Sequence, residues 1–319
     1  MRNKYLIMIP IHITKNFPKN MAMVSYKMHN VCNYTCNYCE ANSNDGSERW
    51  NSNYQAALNF LDKVRERNKY LYLDVVGGEP TMWPEFQSFI NEGSNENTLI
   101  EISTNGSRTL RYWEGFNPGN NIFTFSWHSK EVDTEHMANV IKIMKDKCYV
   151  TVAVLITPDS WVKGIEAINT FQKLNVEVNI QPVRKTLGAA ELYPYTPEQL
   201  NYIHNYSQEK SKINVPAWVN LRPTDVIYNG IVKNWSRLIA NKENIFTNWK
   251  CNAGIDRFVI VPDGTIFKCW HRVEGSIGNI YGEYQFPTNP AICTYQYPCH
   301  CKHEVQTEKW SPNFTIEQQ

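Results

Sequence analysis

Nine cysteines in 319 residues fall into two groups: Cys32, Cys36 and Cys39, then five from Cys251 to Cys301, with Cys148 alone between. Disulfides do not persist in a reducing cytosol, so clustered cysteines there point to metal binding or catalysis. The first group has the spacing C-x3-C-x2-C, and a loop that short can turn three sulfurs to one side of a single centre. Thiolates suit zinc or iron–sulfur. Three local thiolates on a cubane leave one iron open to an outside ligand. The competing reading is a zinc knuckle that borrows a fourth ligand such as His29. In the second group, Cys251 and Cys269 flank a Pro262-Asp263-Gly264 turn, and Cys293-x5-Cys299-x-Cys301 follows. Either a cluster or a four-cysteine structural zinc fits that set.

Other chemistry-bearing residues come at regular intervals. Gly77-Gly78-Glu79-Pro80 stands about forty residues after the first cysteines. Paired glycines allow close approach of backbone to a ligand, and a carboxylate suits an ammonium group. Ser103-Thr104-Asn105-Gly106 fits a ligand-lining tip or an ordinary turn into a helix. Ser126 and His128 alternate along a strand and so share one face. His128 is a candidate substrate ligand or proton carrier, or a structural histidine. Arg184 can anchor an anionic group or sit in a surface ion pair. Cys148 reads as a buried structural thiol.

These residues need elements to place them. Short β-rich runs at 23–28, 70–76, 98–103, 121–126, 148–156 and 176–181 alternate with helical periods at 54–67, 84–92, 108–115, 134–145 and 160–174. That alternation predicts βα units and a parallel sheet. Six units suit an α/β fold of partial (β/α)6 TIM-like barrel type, with working residues at the C-terminal ends of the strands. Thr196, Pro197 and Gln199 spell a capped helix start. Apolar runs on either side of Pro262-Asp263-Gly264 predict a β-hairpin. The expected division is an N-terminal extension at 1–22, a barrel at 23–195, an irregular bridge at 196–250 and a small hairpin-containing domain at 251–319.

With Tyr38 just before its last cysteine, the first motif resembles the signature of the radical S-adenosylmethionine (SAM) superfamily. The resemblance implies that Cys32, Cys36 and Cys39 ligate a [4Fe–4S] cluster whose open iron chelates SAM. Reductive cleavage would then release a 5′-deoxyadenosyl radical that abstracts hydrogen from a substrate. It further implies that Tyr38 lies against adenine and that Gly77, Gly78, Glu79 and Pro80 bind the SAM amino group. Ser103 and Asn105 would line ribose and methionine, and Ser126 would contact ribose or carboxylate. The second cysteine group resembles the auxiliary-cluster domains called SPASM and twitch. Five cysteines suffice for one further [4Fe–4S] cluster, held by Cys251, Cys269, Cys299 and Cys301, with a set including Cys293 as the alternative. A Cys293 outside the cluster would be a spare thiol and a candidate hydrogen donor.

The formal net charge of +1 leaves no electrostatic footprint for nucleic acid or a membrane surface. No apolar run approaches a membrane span, which implies a cytoplasmic protein. Oligomeric state is not legible. The resemblance implies flavodoxin or ferredoxin as electron donor. Peptide-modifying relatives often carry a long N-terminal recognition domain, whereas about twenty-two residues precede the first strand here. The expected substrate is therefore a small molecule of sugar, aminocyclitol or nucleotide type, for dehydrogenation or epimerisation. Peptide maturation and a non-enzymatic iron–sulfur or zinc module are the alternatives.

Overall fold

The alternation of strand and helix survives intact in the three-dimensional structure. The computed structural model describes residues 12–39, 43–50, 53–185, 191–206, 215–223, 225–240, 242–299 and 301–312. In chain order the first half runs β1 (His12–Lys15), β2 (Met21–Lys27), α1 (Tyr54–Arg67), β3 (Tyr70–Val76), α2 (Phe86–Gly93) and β4 (Thr98–Thr104). It continues with α3 (Leu110–Gly115), β5 (Ile122–His128), α4 (Thr134–Met144), β6 (Tyr149–Ile156), α5 (Trp161–Gln172) and β7 (Glu177–Pro182). Strands β2 to β7 lie side by side in sequence order, all parallel. Apolar side chains of one parity, such as Val24, Leu73, Ile102, Phe125 and Val152, face the covering helices in the main core. Helix α1 meets them with Ala57, Leu58, Phe60, Leu61 and Val64, a 3.6-residue stripe. Each buried Leu, Phe or Val among them contributes about 1.5–3 kcal/mol.

The second half adds α6 (Pro197–Asn205), β8 (Asp225–Tyr228), β9 (Ile231–Asn234), α7 (Trp235–Ala240), β10 (Lys250–Cys251), β11 (Arg257–Ile260) and β12 (Thr265–Phe267). It closes with β13 (Ser276–Asn279), β14 (Ala291–Ile292), α8 (Lys302–Gln306) and β15 (Lys309–Trp310). Thr196 caps α6 in the reciprocal box with Gln199 that the residues foretold. The hairpin β11–β12 also forms, with Gly264 at φ +83° in its turn. Its placement is new information: β11 pairs in parallel with β2, so the hairpin and β13 extend the main sheet to nine strands. The sheet stays open between β13 and β7, a partial barrel.

The opposite, concave face carries an apolar layer and then a polar one. Met23, Tyr72, Leu99, Ile122 and Tyr149 form the apolar layer, closed by Val219 and Trp218 from the bridge region. Above it, Ser25 donates to Asp74 (3.0 Å), and Thr124 donates to Glu101 (3.0 Å). Arg222 reaches in from the same bridge and grips both oxygens of Glu101. Burial alone would raise the Glu101 pKa, but Arg222 and Lys302 hold it well below the usual carboxylate range. A smaller antiparallel sheet, β14-β10-β15-β1-β8-β9, draws its strands from both ends of the chain.

Candidate active site

The loop that follows β2 carries the three cysteines, and the tip of β3 holds it in place. Met28 N–H donates to Val76 O (2.9 Å), Gly78 N–H to His29 O (2.8 Å) and Glu79 N–H to Val31 O (2.8 Å). The sheet ladder thus runs on into the loop. A Cβ at Gly77 would come within 2.9 Å of His29 O, and one at Gly78 within 2.2 Å of Val31 O. The glycine pair therefore admits the chain's own backbone, a closer approach than the ligand contact expected from the residues alone. Past this clamp, Cys39 N–H donates to Cys36 O (3.1 Å), curling the loop. Cys32 Sγ accepts from Tyr34 N–H (3.4 Å) and lies 3.9 Å from Asn105 Nδ2.

Glu79 is 1% exposed and is filled by its own chain. One carboxylate oxygen accepts from Thr81 N–H (3.1 Å), Thr81 Oγ1 (2.6 Å) and Thr104 Oγ1 (2.6 Å); the other accepts from Asn105 N–H (2.6 Å). Burial raises its pKa against the pull of those donors. The carboxylate ties the β3 tip to the β4 tip, and Asn105 then reaches Asn33 (3.0 Å) in the cysteine loop. Thr81, Thr104 and Asn33 were not among the candidate residues. The Thr-Asn pair was legible as a turn, but its partner across the sheet was not.

Ser103, Ser126 and His128 lie on the concave face, the parity that also carries Glu101 and Thr124. His128 Nδ1 lies 2.7 Å from Tyr38 OH, and the two rings stack at 5.9 Å with Tyr34 edge-on at 6.1 Å. Burial lowers the His128 pKa to about 4, which favours the neutral imidazole beside Tyr38. Tyr38→Phe should leave that nitrogen without its partner and cost about 1–3 kcal/mol of stability in apoprotein denaturation. Arg184 is half-buried beyond β7, where its backbone bridges to Leu192, and burial lowers its pKa. Cys148 sits at the opposite end of the strands, with Sγ 3.5 Å from Met144 O.

Burial, aided for Cys32 by Glu79 and Cys39, pushes the Cys32 and Cys36 thiols up to about 11. A metal centre would displace those protons. Among the described residues no three Cys, His, Asp or Glu side chains converge as the ligands of a single ion would. A cubane takes each thiolate at a different iron and so accepts a wider spread. His29 is turned into the loop, its Nδ1 accepting from Val31 N–H (3.2 Å) and its ring edge-on to Trp50.

Four of the five C-terminal cysteines, Cys251, Cys269, Cys293 and Cys299, line one cavity together with Glu304 and Lys309. Cys293 N–H donates to Trp249 O (2.9 Å) and Cys299 N–H to Asn244 O (2.8 Å), which fixes both loops against the wall. Burial pushes the Cys269 thiol up to about 12 and raises those of Cys251 and Cys299. Cys301 is not in that wall. It caps α8 beside Glu304 and Arg257.

A family model described as the radical SAM superfamily matches residues 26–149. That span runs from β2 to the first residue of β6 and so contains the cysteine loop, the clamp and His128. Among solved structures, Streptococcus suis SuiB bound to S-adenosylmethionine is similar at 12% identity and TM-score 0.53, over 78% of this chain and 60% of that one. SuiB bound to precursor peptide SuiA gives 11% and 0.52, over 83% and 62%. Native anSMEcpe with bound AdoMet and Cp18Cys peptide gives 15% and 0.50, over 83% and 78%. The chain thus spans about 60% of the SuiB chain's length, and identities this low speak to fold alone. No curated protein matches the chain. Among the described residues no helix is long and apolar enough to cross a membrane. Motif, fold and family model agree: residues 26–149 match the radical SAM superfamily, whose members use a [4Fe–4S] cluster and SAM.

Proposed function

We propose that Cys32, Cys36 and Cys39 hold the SAM-binding cluster and that the concave face beside them receives a small-molecule substrate. The observation that carries this reading is the clamp at the C-terminal ends of β2 to β4: Gly78, Glu79 and Asn105 hydrogen-bond to the cysteine loop, Gly77 packs against it, and Thr104 holds the Glu79 carboxylate. When bound, the cluster and SAM supply a 5′-deoxyadenosyl radical that takes a hydrogen atom from the substrate. The chain's own residues position and shield. Asn105 supplies a donor beside Cys32, and backbone and side chains at residues 77–80, Ser103 and Ser126 border the SAM position. Tyr38 and neutral His128 form an aromatic wall at the mouth. Hydroxyl and carboxamide groups on the concave face, including Thr124 and Asn179, suit a substrate rich in hydrogen-bonding groups.

The C-terminal cavity is proposed to hold a second [4Fe–4S] cluster on Cys251, Cys269, Cys293 and Cys299, because these four share one wall. In this reading 23–195 is the catalytic barrel, 196–250 the bridge and 251–319 the auxiliary region. A cytoplasmic location and a flavodoxin- or ferredoxin-type reductant accompany it. A peptide substrate is the second reading, favoured by two fold relatives whose structures hold peptides.

Anaerobically reconstituted protein given SAM and reductant should form 5′-deoxyadenosine and carry about eight iron atoms per chain. Cys293→Ala should drop the iron to about four while Cys301→Ala retains about eight. The reverse pattern would restore Cys301 to the ligand set. A metabolite consumed from an extract in step with 5′-deoxyadenosine would support the small-molecule reading. Consumption of a supplied peptide instead would support the second.

A further inference from the structure

Buried cations in this region come with carboxylate partners, with one exception. Lys15 pairs with Asp256 at 2.6 Å, and Arg257 pairs with Glu304 at 2.8 Å. Lys309 is 2% exposed, yet its ammonium has no carboxylate within ion-pair distance among the described residues. It donates instead to the carbonyls of Glu304 (2.6 Å), Val305 (3.2 Å) and Thr307 (2.5 Å) at the end of α8, and it lies 4.6 Å over the Phe246 ring. The three carbonyls use its N–H bonds but supply only partial charges, so a negative group in the wall beside it would balance the buried ammonium.

The strand register shows what lies there. In the β10–β15 pair Lys309 stands directly opposite Cys251, which puts both side chains on the same face. That face is the wall of the cavity lined by Cys251, Cys269, Cys293 and Cys299.

We infer that Lys309 is a positioning residue for the second cluster, its buried ammonium balancing the negative charge of four thiolates and raising the cluster's reduction potential. The inference rests on the auxiliary-cluster reading above. A four-thiolate [4Fe–4S] centre is anionic and gains one more negative charge on reduction. A fixed positive charge in a dry wall therefore favours the reduced form more than the oxidised one. A centre held at a higher potential accepts an electron more readily.

The test uses full-length Cys32→Ala/Cys36→Ala/Cys39→Ala protein, so that only the second cluster gives a signal. Its midpoint potential is read by EPR-monitored titration with Lys309 intact and as Lys309→Gln, Lys309→Met and Lys309→Arg. The glutamine amide can still donate to the α8 carbonyls but carries no charge. Both neutral variants should move to more negative potential by at least tenfold in the reduced-to-oxidised ratio, about 59 mV for one electron. Lys309→Arg should stay near the parent. Neutral variants that lose the cluster, while their apoproteins melt like the parent and the arginine variant keeps its iron, would also support the role. An unchanged potential in Lys309→Gln or Lys309→Met would overturn it, and so would an apoprotein that fails to fold in both. A parent protein with no second cluster would instead overturn the auxiliary-cluster reading itself.

Discussion

Gly78→Ala is expected to abolish 5′-deoxyadenosine formation and to cut the iron content from about eight to about four per chain. The added methyl would lie 2.2 Å from Val31 O, 2.4 Å from Val31 C and 2.8 Å from Asn30 C, all backbone atoms. No rotamer change can relieve a clash with main chain, so the cysteine loop must lift off the β3 tip. Two hydrogen bonds lift with it, Gly78 N–H to His29 O and Glu79 N–H to Val31 O. Overpacking of this kind costs about 1–3 kcal/mol or more, concentrated on the segment that carries Cys32, Cys36 and Cys39. The second cluster, on other elements, should stay. Gly115→Ala is the control, since nothing lies within 4 Å of its added Cβ. Full iron content in Gly78→Ala would mean that the loop is not seated by this contact.

Glu79→Ala should destabilise the apoprotein by about 3–5 kcal/mol as well as weaken SAM binding. The residue types alone suggest a carboxylate whose main partner is the ligand, so that its loss would spare the protein. The structure shows it accepting from Thr81, Thr104 and Asn105 in a buried site. Removing it orphans several buried donors, each worth about 1–3 kcal/mol. It also frees Asn105, whose amide reaches Asn33 and Cys32. Glu79→Gln keeps one acceptor oxygen but turns an NH2 toward donors, so its loss should be smaller, about 1–3 kcal/mol. Urea unfolding of the apoprotein and SAM binding to the reconstituted enzyme together decide the matter. Wild-type stability with lost SAM affinity would return Glu79 to a purely ligand-facing role.

Local pattern carries far in this chain. The six parallel strands were legible to within two residues at their ends because alternation with amphipathic helices is written into consecutive side chains. The Thr196 cap and the hairpin around Gly264 were legible for the same reason, since each depends on residues a few positions apart. The first cysteine motif, the Gly-Gly-Glu-Pro segment and the Ser-Thr-Asn-Gly tip stand out as candidates for the same reason, as each lies within four to eight consecutive residues.

What only tertiary structure decided are relations between residues distant in the chain. Which backbone the glycines admit, and which donors fill Glu79, depend on contacts between β2, β3 and β4. Arg222 comes from a stretch with no readable period, yet it grips Glu101, 121 positions away. The docking of β11 on β2, the sharing of one cavity by Cys293 with Cys251, Cys269 and Cys299, and the facing of Lys309 on Cys251 follow from strand order and register. Periodicity fixes which face of a strand a side chain takes. It says nothing of which strand lies next to it, because that choice is made by long-range packing, and there the individual cysteines acquired their neighbours.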